Sequence, residues 1–166
     1  SVILQPAEMS PGSAYIRGEI LHQINLPPGV VNILTGPPEK VATTMTKSNI
    51  PSVVTMIGST KTGKQVIADS SSSIKKLSME LGGNAPFMVF DDANIAAALD
   101  LAIGIKFGNC GQICVAANRF FVHEKIYDDF LKAYVDRVKK LKLGFGKDSN
   151  SDMGPLVNRQ GQKRMM

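Results

Sequence analysis

One stretch of the chain decides the kind of fold: residues 52–71, which read SVVTMIGSTKTGKQVIADSS. Residues 52–57 are mostly β-branched or apolar, which is typical of a buried strand. Residues 58–63 are small and polar and predict a loop, and residues 64–71 predict a helix behind it. A strand, a tight loop and a helix in this order make the first two parts of a βαβ unit.

The same alternation continues on both sides of this stretch. Apolar runs bounded by Gly- and Pro-rich turns predict strands at residues 2–4, 30–34, 52–57, 75–79, 86–90 and 118–123. Helices are predicted at residues 12–24, 40–47, 64–71 and 95–107, and around the apolar stripe of 126–141. Strands that alternate with helices in this way predict an α/β fold, with βαβ units and a largely parallel sheet.

Two predicted helices indicate how a core would form. The helix after residues 91–92 places on one face Ile95, Leu99, Ala102 and Lys106. The two aspartates at 91–92 are expected to cap its amino end. The last long helix carries an apolar stripe made of Ile126, Phe130, Tyr134, Val138 and Leu141. We expect this stripe to pack in the core.

Composition restricts the class of protein. The chain has 166 residues, 43% hydrophobic and 20% charged, which is typical of one globular domain or parts of two. No apolar run approaches the ~20 residues that span a bilayer, and the first residues do not read as a secretory signal. We therefore expect no membrane association, and an intracellular location that is cytoplasmic, with a mitochondrial one as the alternative.

The charge balance argues against a nucleic-acid partner. The net charge is +5, and the densest basic run, residues 139–142, ends a predicted helix where cations complement the dipole. The sequence has no basic face interleaved with aromatic residues. The two ends predict a piece of a longer protein, because the chain opens without Met in a strand-like run and residues 160–166 read as a helix cut short.

The loop at residues 58–64 admits three interpretations. Its letters, GSTKTGK, match the P-loop pattern G-x-x-x-x-G-K, but Gln65 follows where a P-loop needs a Ser or Thr hydroxyl for magnesium. The second interpretation is an anion site, since amides and a positive dipole at a helix N-terminus suit a pyrophosphate. The third is a plain connector between strand and helix.

The two cysteines, Cys110 and Cys114, lie four residues apart, and a bridge over so short a loop would add little stability. We expect reduced thiols. Cys114 has polar and glycine neighbours that indicate an accessible turn, although a free cysteine is also a small hydrophobe that is often buried. The only histidines are His22 and His123, so a Cys–His catalytic pair has no support from the sequence.

Glu80 ends an apolar predicted strand just before two glycines. Ligands bind beyond the carboxyl ends of parallel strands, and a partly desolvated carboxylate there can have its pKa raised towards that of a general base. The alternative interpretation is a surface acid at a strand end.

Together these motifs resemble the aldehyde dehydrogenase superfamily. The resemblance lies first in residues 80–86, ELGGNAP, and residues 111–114, GQIC, with 114 − 80 = 34 residues from Glu80 to Cys114. Further matches in chain order are PAE at 6–8, LPPGVVN at 26–32, GST at 58–60 with Gly63, and GPL at 154–156. Residues 79–92 and 106–119 most resemble succinate-semialdehyde dehydrogenases, and the resemblance covers essentially the whole chain.

The resemblance implies the later half of a Rossmann-like NAD(P)-binding domain over residues 1–82. The first part of the α/β catalytic domain would follow over residues 83–166. It makes Cys114 the nucleophile and Glu80 the general base, with no metal. The residues implied to bind the cofactor are Gln5, Glu8, Gly36, Gly58, Ser59, Thr60, Gly63 and Leu81. Among these, Ser59 would contact a phosphate and Glu8 the adenosine ribose.

The implied reaction is oxidation of a small aldehyde, such as succinate semialdehyde, to its acid with NAD or NADP. The full-length protein is expected to be a homodimer or homotetramer. The piece alone is expected to be inactive, because the family's second oxyanion donor lies upstream of Ser1. Two alternatives stay open: a P-loop-like phosphate-binding protein and a non-catalytic relative of the superfamily.

Three departures from the family pattern surround the cofactor positions. Gln5 replaces a Lys, residues 56–57 replace Phe-Thr, and residues 37–39 replace a more glycine-rich turn. A Glu8 carboxylate would accept hydrogen bonds from the ribose of NAD and repel the 2′-phosphate of NADP. Because neutral Gln5 would not offset that repulsion, we expect a preference for NAD.

Overall fold

The computed structural model describes residues 1–166, which divide into two compact units, Ser1–Leu81 and Gly82–Met166. The strands are β1 Val2–Leu4, β2 Val31–Ile33, β3 Val53–Ile57, β4 Lys76–Glu80, β5 Ala85–Val89 and β6 Ala117–Val122. The helices are α1 Gly12–Gln23, α2 Pro38–Lys47, α3 Thr60–Asp69, α4 Ile95–Phe107, α5 Tyr127–Val138 and α6 Arg159–Met165. Short 3-10 segments lie at Ser70–Ser72, Gly108–Gly111 and Glu124–Ile126.

The six strands form three pairs of consecutive strands, and every pair is parallel. The pairs are β1–β2, β3–β4 and β5–β6, and each is connected by one helix, α1, α3 or α4. The α/β class and the βαβ units are therefore confirmed. Strand hydrogen bonds do not extend beyond each pair, so the single parallel sheet of the sequence prediction becomes three two-stranded sheets.

In the first unit, the pairing of β3 with β4 runs from Val53 opposite Lys76 to Ile57 opposite Glu80. The two strands thus end side by side. Helix α3 then begins at Thr60, with Ser59 as its N-cap. The predicted loop over residues 58–63 is wrong in its length, because the Ser59 hydroxyl satisfies a free amide of the first turn and lets the helix start early.

The second unit contains the larger hydrophobic core. Val89 of β5, Leu99 and Ala102 of α4, and Phe130 of α5 are buried together. Tyr134 packs against this cluster, and its burial raises the pKa of its hydroxyl. The predicted core faces of α4 and α5 are confirmed at these positions, although α5 ends before Leu141.

The cap of α4 differs from the prediction. The Asn94 side chain accepts a hydrogen bond from the Ala97 amide at 3.1 Å, and Asn94 directly precedes the first helical residue. Asp91 lies too early to cap and instead forms an ion pair with Lys125, at 3.1 Å between Nζ and Oδ2. A cap must sit at the half-helical position next to the first turn, and this requirement selects the asparagine.

Several strands are less buried than their apolar sequences predict. In β3, Val53 is 54% exposed and Ile57 is 78% exposed, and in β5 Met88 is 63% exposed. Burial alternates along both strands because residues 1–166 cover only one face of each pair. None of the helices has the length and apolar character needed to cross a membrane.

Truncating Leu99 tests the core of the second unit. Because Leu99 is 3% exposed, Leu99→Ala should lower the free energy of unfolding by about 2–5 kcal/mol. Leu101→Ala is the matched control, since Leu101 lies on the same helix and is 60% exposed. Urea unfolding of the protein that carries this segment measures both, and equal losses would contradict the assignment of the core.

Candidate active site

The carboxyl ends of β3 and β4 bring two predicted site residues together. The Gly58 amide donates to the Glu80 carbonyl at 2.9 Å and extends the strand pairing by one bond. Parallel strands that end side by side, followed by a helix N-terminus, form the usual ligand-binding edge of an α/β unit.

The amino end of α3 presents hydroxyl and amide groups at this edge. The Ser59 Oγ accepts from the Thr62 amide at 3.1 Å and lies 2.8 Å from the Thr62 Oγ1. Thr60 is the first helical residue. The sequence analysis placed Thr62 inside the loop of residues 58–63 without a contact of its own; the available signal is the Ser N-cap, whose oxygen accepts from an amide in the first turn. The P-loop interpretation is wrong, because only Gly58 and Ser59 separate the strand from the helix and Gly63 is inside α3.

Gly63 is buried against Leu81, the residue that follows β4. A Cβ placed on Gly63 would lie 2.6 Å from the Leu81 Cδ2, a distance that side chains do not tolerate. The absent side chain lets the first turn of α3 sit close to the end of β4. Gly58, Ser59, Thr60, Gly63, Glu80 and Leu81 are therefore one group of neighbours in the first unit.

The other predicted cofactor residues lie after β1 and β2. The Gln5 Nε2 donates to the Gly36 carbonyl at 3.3 Å, so the half-buried Gln5 side chain braces the turn after β2. Exposed Glu8 lines a cavity of about 250 Å³ together with Gly36 and Tyr15. The Tyr15 hydroxyl donates to Thr35 at 3.2 Å; neither residue was identified from the sequence, and no motif pointed to them.

These donors and acceptors fit a dinucleotide. The Ser59 hydroxyl and the free amides of α3 are suited to a pyrophosphate, and the Glu8 carboxylate beside a cavity is suited to ribose hydroxyls. Gly36 has no room for a side chain, since a Cβ there would lie 2.8 Å from Val41.

The Glu80 side chain is exposed, so the expected partial desolvation is wrong for this chain. The strand that carries it is exposed at four of its five positions, with only Met79 half-buried. Glu80 is an accessible carboxylate at the strand edge, within one residue of the Gly63–Leu81 contact.

Cys114 lies in the second unit, beyond a tight turn. Asn109, Cys110 and Gly111 follow one another in the left-handed region, with φ of 50°, 58° and 70°. Such a conformation costs a residue with a side chain about 1–2 kcal/mol, and a Cβ on Gly111 would lie 2.9 Å from the Lys106 carbonyl. Cys114 itself is exposed and its thiol is free, as is that of half-buried Cys110.

The turn contacts a later segment of the same unit. The Cys110 thiol donates to the Gly154 carbonyl at 2.9 Å, and the Val157 amide donates to the Gln112 Oε1 at 3.0 Å. The sequence interpretation assigned no contact to Cys110 or Gln112. Forty-four and forty-five residues separate the partners, and no local pattern indicates such pairs.

The histidines take no part in these groups. His22 lies exposed on α1, and the His123 Nδ1 accepts from the Lys125 amide at 3.3 Å. The structure contains no cluster of three or more metal-ligating side chains.

Known proteins match the chain over its whole length. The model of the aldehyde dehydrogenase family matches residues 1–166. The NADP(+) succinate-semialdehyde dehydrogenase 1 of Schizosaccharomyces pombe is 40% identical over 159 residues, which cover 95% of this chain and 32% of that protein. The chain spans about a third of the length of the curated relatives it matches.

Solved structures give the same result. Succinate-semialdehyde dehydrogenase from Burkholderia pseudomallei has a TM-score of 0.93 at 42% identity, over 98% of this chain and 34% of that one. Betaine aldehyde dehydrogenase from Staphylococcus aureus, in complex with NAD+, has a TM-score of 0.93 at 31% identity, over 99% and 33%. The resemblance predicted from the motifs is confirmed, and the chain belongs to the aldehyde dehydrogenase family.

Proposed function

We propose that the protein carrying this segment oxidises an aldehyde to its carboxylic acid with NAD(P)+, through a covalent intermediate on Cys114. The observation that carries the proposal is the exposed Cys114 thiol three residues after a strained turn, in a chain that matches the family from end to end. Strained backbone that positions a reactive group is typical of functional sites.

Cys114 is the proposed nucleophile. Its thiolate adds to the aldehyde carbonyl and forms a tetrahedral thiohemiacetal, in which the former carbonyl oxygen carries the developing negative charge. No backbone bond within the chain uses the Cys114 amide, which can therefore donate to that oxygen. A dinucleotide bound in the first unit would supply the acceptor for the hydride of the thiohemiacetal, and loss of that hydride would leave Cys114 acylated as a thioester.

Glu80 is the proposed general base for the second half of the reaction. An accessible carboxylate at a ligand-binding strand edge can remove a proton from water as that water attacks the thioester carbonyl. The acid product leaves, and the Cys114 thiolate is regenerated. Each step uses groups of this chain for proton or acyl transfer.

The first-unit residues are the proposed dinucleotide site. The Ser59 and Thr60 end of α3 would hold the pyrophosphate, and Gly58, Gly63 and Leu81 would keep that end close to the strand edge. Gln5 and Gly36 brace the turn next to the cavity, and Glu8 would face the adenosine ribose. These assignments make residues 1–82 the later half of the cofactor domain and residues 83–166 the start of the catalytic domain.

The proposed substrate is a small semialdehyde, with succinate semialdehyde as the first compound to test. The support is the number of relatives that carry this activity in their names. The full-length protein is proposed to be a homodimer or homotetramer. A panel of succinate semialdehyde, glutarate semialdehyde and uncharged aldehydes of equal chain length tests this proposal. Equal kcat/KM for all of these compounds would contradict a preference for semialdehydes.

Substituting the two proposed catalytic residues separates the two half-reactions. In the full-length protein, Glu80→Gln should slow thioester hydrolysis more than hydride transfer, because only hydrolysis needs the base. Rapid mixing should then show a burst of reduced dinucleotide followed by slow turnover. Cys114→Ala should abolish the burst, while Cys110→Ser, which keeps a donor at the other cysteine, should retain it.

Wild-type turnover by Cys114→Ala would refute the covalent mechanism. Dinucleotide binding without any aldehyde oxidation by the wild-type protein would favour a non-catalytic relative.

The cofactor preference can be tested at Glu8 and Gln5. The Glu8 carboxylate would repel a 2′-phosphate, and the Gln5 amide is already engaged by the Gly36 carbonyl. Like-charge contacts cost enough for a preference of about 10-fold or more, so we expect NAD to give the higher kcat/KM by that factor. The double substitution Gln5→Lys with Glu8→Ser should raise the use of NADP. Steady-state kinetics with each cofactor measures this, and equal use by the wild type would contradict the assignment.

A further inference from the structure

The segment from Gly154 to Val157 contains the GPL motif, to which the proposed reaction assigns no role. Two side chains of the turn before Cys114 are hydrogen-bonded to this segment. The segment is thus placed to control where that turn sits.

The first contact comes from Cys110. Its thiol donates to the Gly154 carbonyl at 2.9 Å and lies 3.5 Å from the Pro155 carbonyl. Cys110 holds a left-handed backbone, with φ of 58°. The Cys110 thiol is hydrogen-bonded while the backbone of Cys110 adopts an unfavourable conformation. This combination indicates that the surrounding structure holds the residue in place.

The second contact comes from Gln112, two residues before Cys114. Its Oε1 accepts from the Val157 amide at 3.0 Å, and its Nε2 donates to the Asn109 carbonyl at 3.0 Å. The Asn109 side chain returns a bond to the Gln112 carbonyl at 3.3 Å. One carboxamide therefore closes the turn on itself and ties it to the later segment.

The later segment is itself fixed at its start. Leu143 and Met153 form an isolated parallel bridge, and the Gly144 amide donates to the Met153 carbonyl at 3.0 Å. The Lys142 amide donates to the Asp152 carboxylate at 2.9 Å. Residues 154–157 thus follow directly after a loop that these hydrogen bonds close, and they form a defined support for the turn.

We propose that Gln112, assisted by Cys110, is a positioning residue that sets the location of the Cys114 thiol by tying the turn to residues 154–157. The inference rests on the proposed function of Cys114 as nucleophile. Gln112 is exposed, so its side chain adds little to the core, and its two bonds fix geometry. Displacement of a reacting group by about 1 Å can cost up to 100-fold in rate.

The test uses the full-length protein and two substitutions at one contact. Gln112→Met keeps the length of the side chain and removes both of its bonds, and Val157→Pro removes the amide that it accepts from. Gln162→Met is the matched control, because exposed Gln162 has no side-chain bond. The measurements are the burst rate constant, the KM for the dinucleotide and the alkylation rate of Cys114 by iodoacetamide across pH.

We expect each single substitution to lower the burst rate constant by about 10- to 100-fold and to leave the KM for the dinucleotide unchanged. The double variant should be no slower than the slower single variant, since both remove the same contact. The alkylation profile of Cys114 should change in the same variants and stay at wild type in Gln162→Met. A wild-type burst in Gln112→Met, or rate losses that multiply in the double variant, would overturn the proposal.

A pair of substitutions at Cys110 tests the proposal if Gln112→Met does not fold. Cys110→Ser keeps a donor for the Gly154 carbonyl and should keep the burst, whereas Cys110→Ala should lose it in part. Equal bursts in these two variants would overturn the proposal. Failure of the proposed function is seen separately, as activity in Cys114→Ala, and the alkylation rates report the thiol position whether or not that activity exists.

Discussion

The parallel pairing of β3 with β4 is the constraint on which the first unit depends. Its register ends with Ile57 opposite Glu80, and the Gly58 amide then bonds to the Glu80 carbonyl. A shift of one residue would turn every side chain of one strand to the other face. It would also separate Gly58, which leads into α3, from Glu80, the last residue of β4. Strand register thus fixes which polar groups share an edge.

The second unit positions Cys114, the proposed nucleophile, in a different way. Cys114 follows a turn in which three consecutive residues adopt the left-handed backbone conformation, which is unfavourable for every residue except glycine. Side-chain hydrogen bonds hold that turn to a segment more than forty residues later in the chain. Regular pairing offers many equivalent bonds, whereas the link between this turn and residues 154–157 rests on the side chains of two residues, Cys110 and Gln112. The proposed cofactor edge and the proposed nucleophile therefore differ in how many interactions must be lost before their geometry changes.

The sequence predicted the features that depend on local pattern. Apolar runs between glycines and prolines located all six strands within a residue or two, because chain stiffness and turn chemistry act over short distances. It misjudged the start of α3, because the polar residues 60–62 indicate a loop unless Ser59 is recognised as the N-cap. It also chose the wrong cap for α4. It also overstated the burial of β3, since burial depends on what covers a face. The hydrogen bonds of Cys110 and Gln112 to the later segment leave no local signal in the sequence. The proposed roles of Cys114 and Glu80 came from the motifs that resemble the family.

The contact between Gly63 and Leu81 has a consequence for how the sequence can vary. The two positions share one fixed volume: a Cβ at 63 can be accommodated only if the branched side chain at 81 becomes smaller. Substitutions at these sites should therefore be accepted as pairs, with alanine at 63 accompanied by valine or alanine at 81. Among homologous sequences, residue size at the two sites should be inversely related, a correlation created by packing without any direct role in the chemistry.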